Sequence, residues 1–115
     1  MKMFIVLENA KKIVELTTDL LEAVRPLNPK LADQIDRAST SILFNLAEGN
    51  RRTGYDRLRL FRYAEGSAAE LEVALFAVRA RRIRFDLTVL EDLVGQEVRM
   101  LYRLTRSPKL GSSAA

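Results

Sequence analysis

Five polar side chains stand in helical segments that are otherwise rich in apolar residues, and their types could do chemistry. They are Asn45, Glu48, Ser67, Glu70 and Glu97. Carboxylates on facing helices can bind metal ions or transfer protons, although the di-iron arrangement of helical bundles also requires histidine, which this chain lacks. Polar groups inside a bundle need hydrogen-bond partners. We therefore predict a structural network joining the second, third and fourth helices; the alternative is an ion or small-ligand site between Glu48, Glu70 and Glu97.

The residue types that are missing exclude several kinds of enzyme. The chain has no cysteine and no histidine, which removes disulfides, thiol nucleophiles, Cys/His zinc sites and histidine general bases. Its five glycines are too far apart to form a phosphate-binding loop. We predict a protein without enzymatic activity, with no catalytic residue, no cofactor and no metal site.

Arginine is the second candidate for chemistry, because its guanidinium binds phosphate through paired hydrogen bonds. The net charge is +4, and residues 51–115 contain thirteen basic against eight acidic side chains. This pattern favours nucleic-acid phosphates as ligands. The predicted contacts are Arg51, Arg52, Arg57, Arg59, Arg62, Arg99, Arg103 and Arg106.

Two further observations bear on these arginines. Another cluster stands near the end of the third helix and consists of Arg79, Arg81, Arg82 and Arg84. The alternative to phosphate binding is an ordinary solvated surface, since exposed ion pairs are common and weak. The acidic partners would be Asp56, Glu65, Glu72 and Asp92.

Four helices must position these side chains. Apolar residues recur at alternating spacings of four and three in segments that begin near residues 4, 29, 55 and 88. We call the positions of this repeat, which face the core, the seam of each helix. The seams include Val6, Ile13 and Leu20 in the first helix, Leu31 and Asn45 in the second, Phe61 and Leu71 in the third, and Leu90 and Glu97 in the fourth. Short connections predict an all-α fold, a single antiparallel up-down four-helix bundle. The bundle domain is predicted to span 1–106, and 107–115 is predicted to be a flexible tail.

Residues with special backbone preferences predict the helix ends. Asn28 is expected to cap the second helix at its start, and Gly49 to cap it at its end. Thr53 and Thr88, each followed three residues later by an acidic residue, are expected to cap the third and fourth helices. Gly66 lies inside the third helix, where glycine is destabilising by about 1 kcal/mol relative to alanine, so we expect either a close helix approach there or room for a neighbouring side chain.

The third helix is apolar nearly all round between residues 68 and 80. A surface helix of a lone small bundle has a polar outer face, so a second apolar face indicates contact with another subunit. The chain is therefore predicted to form a homo-oligomer. The predicted interface residues are Ala69, Val73, Phe76 and Ala80.

Membrane segments are not indicated by the sequence. No stretch approaches the roughly 20 uninterrupted apolar residues that a membrane span needs. Residues 3–7 are too short for the core of a signal peptide and run into charged residues. We predict a cytoplasmic protein with no membrane partner.

Two elements of the chain resemble a known bacterial family, the four-helix bundle proteins named after 23S rRNA intervening sequences. Residues 45–49, Asn-Leu-Ala-Glu-Gly, are similar to the family's Asn-Ile-Ala-Glu-Gly element, with Ser41-Ile42 ahead of it. The second element is matched by Phe61, Ala64, Gly66-Ser67 and Glu70-Leu71-Glu72. A weaker third one is matched by Glu97, Met100 and Leu101. The resemblance covers roughly residues 5–106.

The resemblance implies a left-handed antiparallel bundle that assembles as a ring-like homopentamer. The family is similar to the accessory proteins of diversity-generating retroelements, which are basic pentameric bundles that bind nucleic acid and a reverse transcriptase. The family name records genomic location, so a ribosomal role does not follow from it. This chain departs from the pattern at Glu65, where a basic or small residue is common, and in the two arginines of its second connection.

These observations together predict a non-enzymatic oligomeric interaction module. Its expected ligand is nucleic acid, either a structured RNA alone or RNA within an RNA–protein assembly. The sequence does not distinguish RNA from DNA. The alternative is a structural or adaptor oligomer that binds an unidentified protein and has no role with nucleic acid. The two hypotheses differ in salt dependence, because phosphate binding weakens steeply with ionic strength.

Overall fold

The structure is a computed structural model, and it describes residues 2–106 of the chain. Four α-helices and their connections make up this part. The helices are α1 (Lys2–Val24), α2 (Pro29–Asn50), α3 (Gly54–Ala80) and α4 (Thr88–Thr105), and residues 2–106 contain no strand. The predicted all-α bundle class is confirmed. The predicted tail, 107–115, lies outside the described residues.

The helices enclose one apolar core. α2 packs against α1 and α3, and α4 packs against the same two helices, which makes a bundle measuring 48 × 21 × 20 Å. The predicted seam of α1, which includes Val6, Ile13 and Leu20, is fully buried, as is that of α3, which includes Phe61 and Leu71. Burial of these side chains supplies most of the folding free energy, at roughly 1.5–3 kcal/mol for each large residue.

One of the four predicted helix caps, Asn28, is confirmed in full, and the other three need correction. The Asn28 side chain accepts a hydrogen bond from the Leu31 N–H at 3.1 Å, which confirms it as the cap of α2. Thr53 occupies the capping position of α3 but makes no side-chain capping bond. Thr88 is the first residue of α4, and its N–H donates instead to Asp86 at 3.0 Å. Thr53 therefore has the predicted position without the predicted bond, and the capping prediction for Thr88 was wrong.

Gly49 has the close-approach role that was predicted for Gly66. Gly49 lies within α2, because the helix continues to Asn50, so the predicted cap was wrong. A Cβ at Gly49 would lie 2.7 Å from the Phe61 ring, which makes this glycine the close approach between α2 and α3. Gly66, where that approach was expected, is exposed and a Cβ there would meet nothing within 4 Å. Packing within this chain therefore does not explain why residue 66 is a glycine.

Membrane spanning finds no support in the described helices. None of the helices within residues 2–106 is both long enough and apolar enough to cross a bilayer. The cytoplasmic location stays a prediction.

Candidate functional site

The first polar group joins α2 to α3. The Ser41 and Ser67 hydroxyls lie 2.7 Å apart, and the Asn45 side-chain amide donates to the Ser41 hydroxyl at 3.0 Å and to the Ser41 carbonyl at 2.9 Å. Ser41 precedes Asn45 by one helical turn, so the two share a face of α2. Two predicted network residues, Asn45 and Ser67, are thus brought together by Ser41, which we had not assigned to the network.

The second polar group joins α1 to α4. Glu97 is fully buried, and the Asn9 amide donates to its Oε1 at 3.0 Å and to the Leu93 carbonyl at 3.0 Å. The other carboxylate oxygen, Oε2, has no hydrogen-bond partner within the described residues. Burial raises the pKa of the Glu97 carboxyl to about 7, because the charged form is poorly solvated, while the bond from Asn9 acts in the opposite direction. Sequence reasoning found Glu97 but missed Asn9, which lies beside the α1 seam.

The remaining predicted network residues lie at the surface. Glu48 is exposed and forms an ion pair with Arg52 one turn later on the chain. Glu70 is exposed at the edge of a groove between α2 and α3. The five residues thus form two separate groups and two surface carboxylates in this chain, in place of one network across three helices.

The carboxylates named for the ion-site alternative do not converge. Glu48 and Glu70 are exposed, whereas Glu97 is fully buried on the α1 side of α4. Within residues 2–106 there is no group of three or more Asp, Glu, Cys or His side chains that could hold a metal ion. The positions give this alternative no support.

The groove between α2 and α3 is open and partly apolar, with a volume of about 830 Å³. The Ser41–Ser67 pair lies in its lining, and Phe44 and Val73 flank it with 69% and 67% of their surfaces exposed. Phe76, on the same side of α3, is 69% exposed. We call Phe44, Ala69, Val73, Phe76 and Ala80 the apolar face. All four predicted interface residues are exposed. Phe44 on α2 is exposed as well, although it was not among the predicted interface residues.

Four of the eight predicted phosphate contacts are already engaged with protein groups. Arg52 pairs with Glu48 and Asp56, Arg59 pairs with Asp56 at 3.3 Å, and Arg106 pairs with Glu65 at 2.8 Å. Arg57 donates to the Gly49 and Asn50 carbonyls at 3.3 and 3.0 Å and so caps the end of α2. The alternative prediction of ion pairs is therefore confirmed for Asp56 and Glu65.

The other four arginines point to solvent without an acidic partner. Arg51, Arg62, Arg99 and Arg103 are exposed, and within the described part of the chain none has a carboxylate oxygen within ion-pair distance. Arg99 and Arg103 are one turn apart on α4, so they lie on the same face of that helix. We call these four the free arginines.

Comparison with known proteins places the chain in a family. No curated protein matches it. A crystal structure at 1.70 Å resolution of a protein of unknown function, from the S23 ribosomal protein family of Bacteroides thetaiotaomicron, superposes with a TM-score of 0.82 at 18% sequence identity. The match covers 93% of this chain and 100% of that one, and it establishes a shared fold. The sequence profile of the 23S rRNA-intervening sequence proteins matches residues 3–103, so the chain belongs to the 23S rRNA-intervening sequence protein family.

Proposed function

We propose that this chain is a non-enzymatic, self-associating bundle that binds the phosphate backbone of structured RNA, alone or within an RNA–protein assembly. The observation that carries the proposal is the set of free arginines, above all Arg99 and Arg103. Exposed cations without acidic partners are available to a polyanion, and the counterions released on binding supply the free energy. A duplex or folded RNA fits better than a single strand, because few aromatic side chains alternate with the arginines.

Three of the four engaged arginines can still take part in phosphate binding, because their ion pairs are exposed and weak. Arg52, Arg59 and Arg106 form ion pairs with side chains that are partly or well exposed, and such pairs contribute only about 0–1 kcal/mol. A phosphate can therefore replace the carboxylate with little loss of stability. Arg57 differs, because its bonds to two carbonyls at the end of α2 fix the connection to α3.

The proposed topology is antiparallel. Glu65 on α3 bonds to Thr105 on α4, whereas Arg79, farther along α3, bonds to Glu91, which precedes Thr105. Residue numbers thus rise along α3 as they fall along α4. The connections of a few residues between successive helices support the same arrangement for the other neighbours.

Self-association through the apolar face is the second part of the proposal. Large apolar side chains that are two-thirds exposed on one face of a helix lose that exposure when two chains meet. Gly66 lies one turn from this face with open space around it, which leaves room for a neighbouring chain. A ring, which the family resemblance implies to be pentameric, would repeat the arginines of a +4 chain and so provide multivalent contact.

A salt series with a matched variant pair tests the RNA proposal. We would measure binding of a labelled RNA hairpin to the wild type, to Arg99→Gln/Arg103→Gln and to Lys11→Gln/Lys12→Gln, which removes the same charge from α1. The α4 variant is expected to bind at least several-fold more weakly, with a salt slope lower by about two, whereas the α1 variant stays near wild type. No binding by the wild type at low salt would contradict the proposal. Equal losses of affinity in both variants would mean that binding depends on net charge and not on Arg99 and Arg103.

The adaptor hypothesis remains a second candidate, because the apolar face could contact a different protein. Val73→Asp, compared with Val89→Asp on α4, where Val89 is 60% exposed, tests which role the face has. Self-association predicts that Val73→Asp lowers the mass in solution and that Val89→Asp does not. If the wild type is already a monomer and binds no RNA, the adaptor hypothesis is favoured.

A further inference from the structure

The turn between α3 and α4 contains a backbone conformation that favours glycine. Arg82 has φ of 59°, and it is the one non-glycine residue with positive φ within residues 2–106. The Ile83 N–H donates to the Val78 carbonyl at 3.2 Å, the bond that closes a helix whose next residue is left-handed. An L-residue other than glycine is disfavoured there by about 1 kcal/mol. The chain therefore places an arginine where glycine would be more stable.

The same turn carries an unneutralised positive charge. Arg81, Arg82 and Arg84 are all exposed, and none has an acidic partner at ion-pair distance within the described part of the chain. The nearby acids are engaged elsewhere: Glu91 binds both Nε and an Nη of Arg79, and Asp86 accepts from the Thr88 N–H. Those hydrogen bonds lower the pKa of both carboxyls. The three arginines therefore face solvent and form no ion pair within residues 2–106.

The end of α3 accounts for only part of this pattern. Cations near a helix C-terminus are stabilised by the helix dipole by about 0.3–1 kcal/mol. That gain is comparable to the loss from the left-handed backbone at Arg82, so it gives no net advantage over glycine. Arg84 lies beyond the helix, and the dipole does not explain it.

The turn is positioned to act together with α4. It leads directly into α4, whose 18 residues rise about 27 Å and carry the free arginines Arg99 and Arg103 in their second half. Positive groups thus flank both ends of one helix. Arg103 is fifteen residues from Thr88, a rise of about 22 Å, and at the A-form rise of about 2.8 Å per base pair this separation corresponds to roughly 8 base pairs of an RNA duplex.

We propose that Arg81, Arg82 and Arg84 form a second phosphate-binding site, which holds one end of an RNA duplex whose other end contacts Arg99 and Arg103. This inference rests on the proposed function, because it extends the same ligand along α4. The duplex lies along the helix, and its backbone is held at two places. A duplex shorter than the separation engages one place only.

Four variants of the turn test the site. Arg82→Gly removes the charge and the backbone strain, Arg82→Gln removes the charge alone, and Arg82→Lys keeps the charge; Arg81→Gln/Arg84→Gln covers the rest of the turn. We would measure their affinity for RNA duplexes of about 6, 12 and 18 base pairs, together with thermal unfolding. Wild-type affinity is expected to rise several-fold between 6 and 12 base pairs. In each variant that loses charge, affinity should increase less between 6 and 12 base pairs than in the wild type. Arg82→Lys keeps the charge and should bind like the wild type.

Unfolding separates this role from a structural one. Arg82→Gly is expected to unfold at the same or a higher temperature than wild type while binding the longer duplexes more weakly. If the turn variants bind every duplex as wild type does while Arg99→Gln/Arg103→Gln loses affinity, the turn site is overturned and the proposed function stands. If their losses are equal on short and long duplexes, the placement along α4 is overturned. If the wild type binds no duplex, the proposed function itself fails.

Discussion

Two polar groups lie at helix–helix contacts of this bundle, and they differ in charge and in access to water. The group between α2 and α3 consists of neutral side chains, Ser41, Asn45 and Ser67, beside an open groove. The group between α1 and α4 contains an ionisable side chain, Glu97, which is fully buried and has one hydrogen-bond donor, Asn9. The same bundle thus contains one polar contact that is satisfied and one that is not.

The difference indicates where the fold is sensitive to conditions. A neutral hydrogen bond contributes about 1 kcal/mol at any pH, because no charge is removed from water. A buried carboxylate with an unpartnered oxygen is destabilising by several kcal/mol when ionised and much less so when protonated. The α1–α4 contact should therefore respond to pH, whereas the α2–α3 contact should not.

The largest expected effect is the pH dependence of stability that Glu97 confers. Its pKa rises from an ordinary 4.5 unfolded to about 7 folded, so the folded state holds the proton more tightly. Both states are protonated well below pH 4.5, and the free energy of unfolding then falls as pH rises to about 7, by about 3 kcal/mol in total. Denaturant unfolding of wild type and Glu97→Gln at several pH values measures this loss.

Glu97→Gln is the matched control because glutamine has the same shape and does not ionise. We expect it to be close to wild type in stability near pH 4.5 and more stable by about 2–3 kcal/mol near pH 8.5. Taking this difference removes the contributions of Asp86 and Glu91, whose lowered pKa values stabilise the fold above their titration range in both proteins. A difference that stays constant with pH would show that the carboxylate reaches water.

The next effect concerns Asn9, which we expect to matter more at high pH than at low pH. Asn9→Leu removes the donor to Glu97, so the ionised carboxylate loses its remaining hydrogen bond, and the unfolding free energy falls by about 1–3 kcal/mol near pH 8.5. Near pH 4.5 the loss is smaller, because the neutral acid needs less solvation.

A double-mutant cycle tests the coupling between the two residues. Asn9→Leu/Glu97→Leu replaces both partners with apolar side chains and is expected to recover most of the stability that Asn9→Leu loses. Additive losses in the cycle would mean that Asn9 stabilises the bundle through Leu93 and not through Glu97.

The sequence predicts the two polar groups unequally. Glu97 interrupts the α4 seam, so its burial follows from the helical period alone. Asn9 is on a different helix, and its contact with Glu97 depends on the relative register of α1 and α4, which no local pattern specifies. The seams of α1 and α3 were predictable for the same reason as Glu97, whereas partners across helices were not.

The α2 seam illustrates a second limit. Alternating spacings of four and three assign the core position to Asn45, but Leu46 is fully buried and Asn45 only partly so. A straight α-helix turns in 3.6 residues, so a 3.5-residue seam drifts by about 20° in each heptad. Two heptads from Leu31 therefore add up to a drift of about 40°, which carries Asn45 to the edge of the buried face, while Leu46 stays on the same side of the helix as Ile35. Glu48 and Glu70 were likewise assigned to the network without a packing position that would hold them inside.

A smaller effect is expected from the neutral group. Ser67→Ala removes the bond to Ser41, which keeps its bond from Asn45, so the free energy of unfolding should fall by about 0.5–1.5 kcal/mol at every pH between 4.5 and 8.5. Chemical denaturation beside the Glu97 variants measures it. A pH-dependent loss would break the comparison, because it would mean that an ionisable group also acts at this contact.

Replacement of Asn45 is expected to have the smallest effect on folding. It also tests most directly whether the groove between α2 and α3 takes part in self-association. Its side-chain amide donates back to Ser41 within α2, so Asn45→Leu should change the unfolding free energy of a single chain by no more than about 0.5 kcal/mol. The same residue lines the groove beside Phe44 and Val73, where a second chain is proposed to pack. We therefore expect the solution mass, or the concentration at which chains dissociate, to change.

Asn50→Leu makes the same replacement at an exposed position of α2 outside the groove lining and should leave assembly unaltered. Equal masses for both variants would mean that Asn45 has no part in assembly.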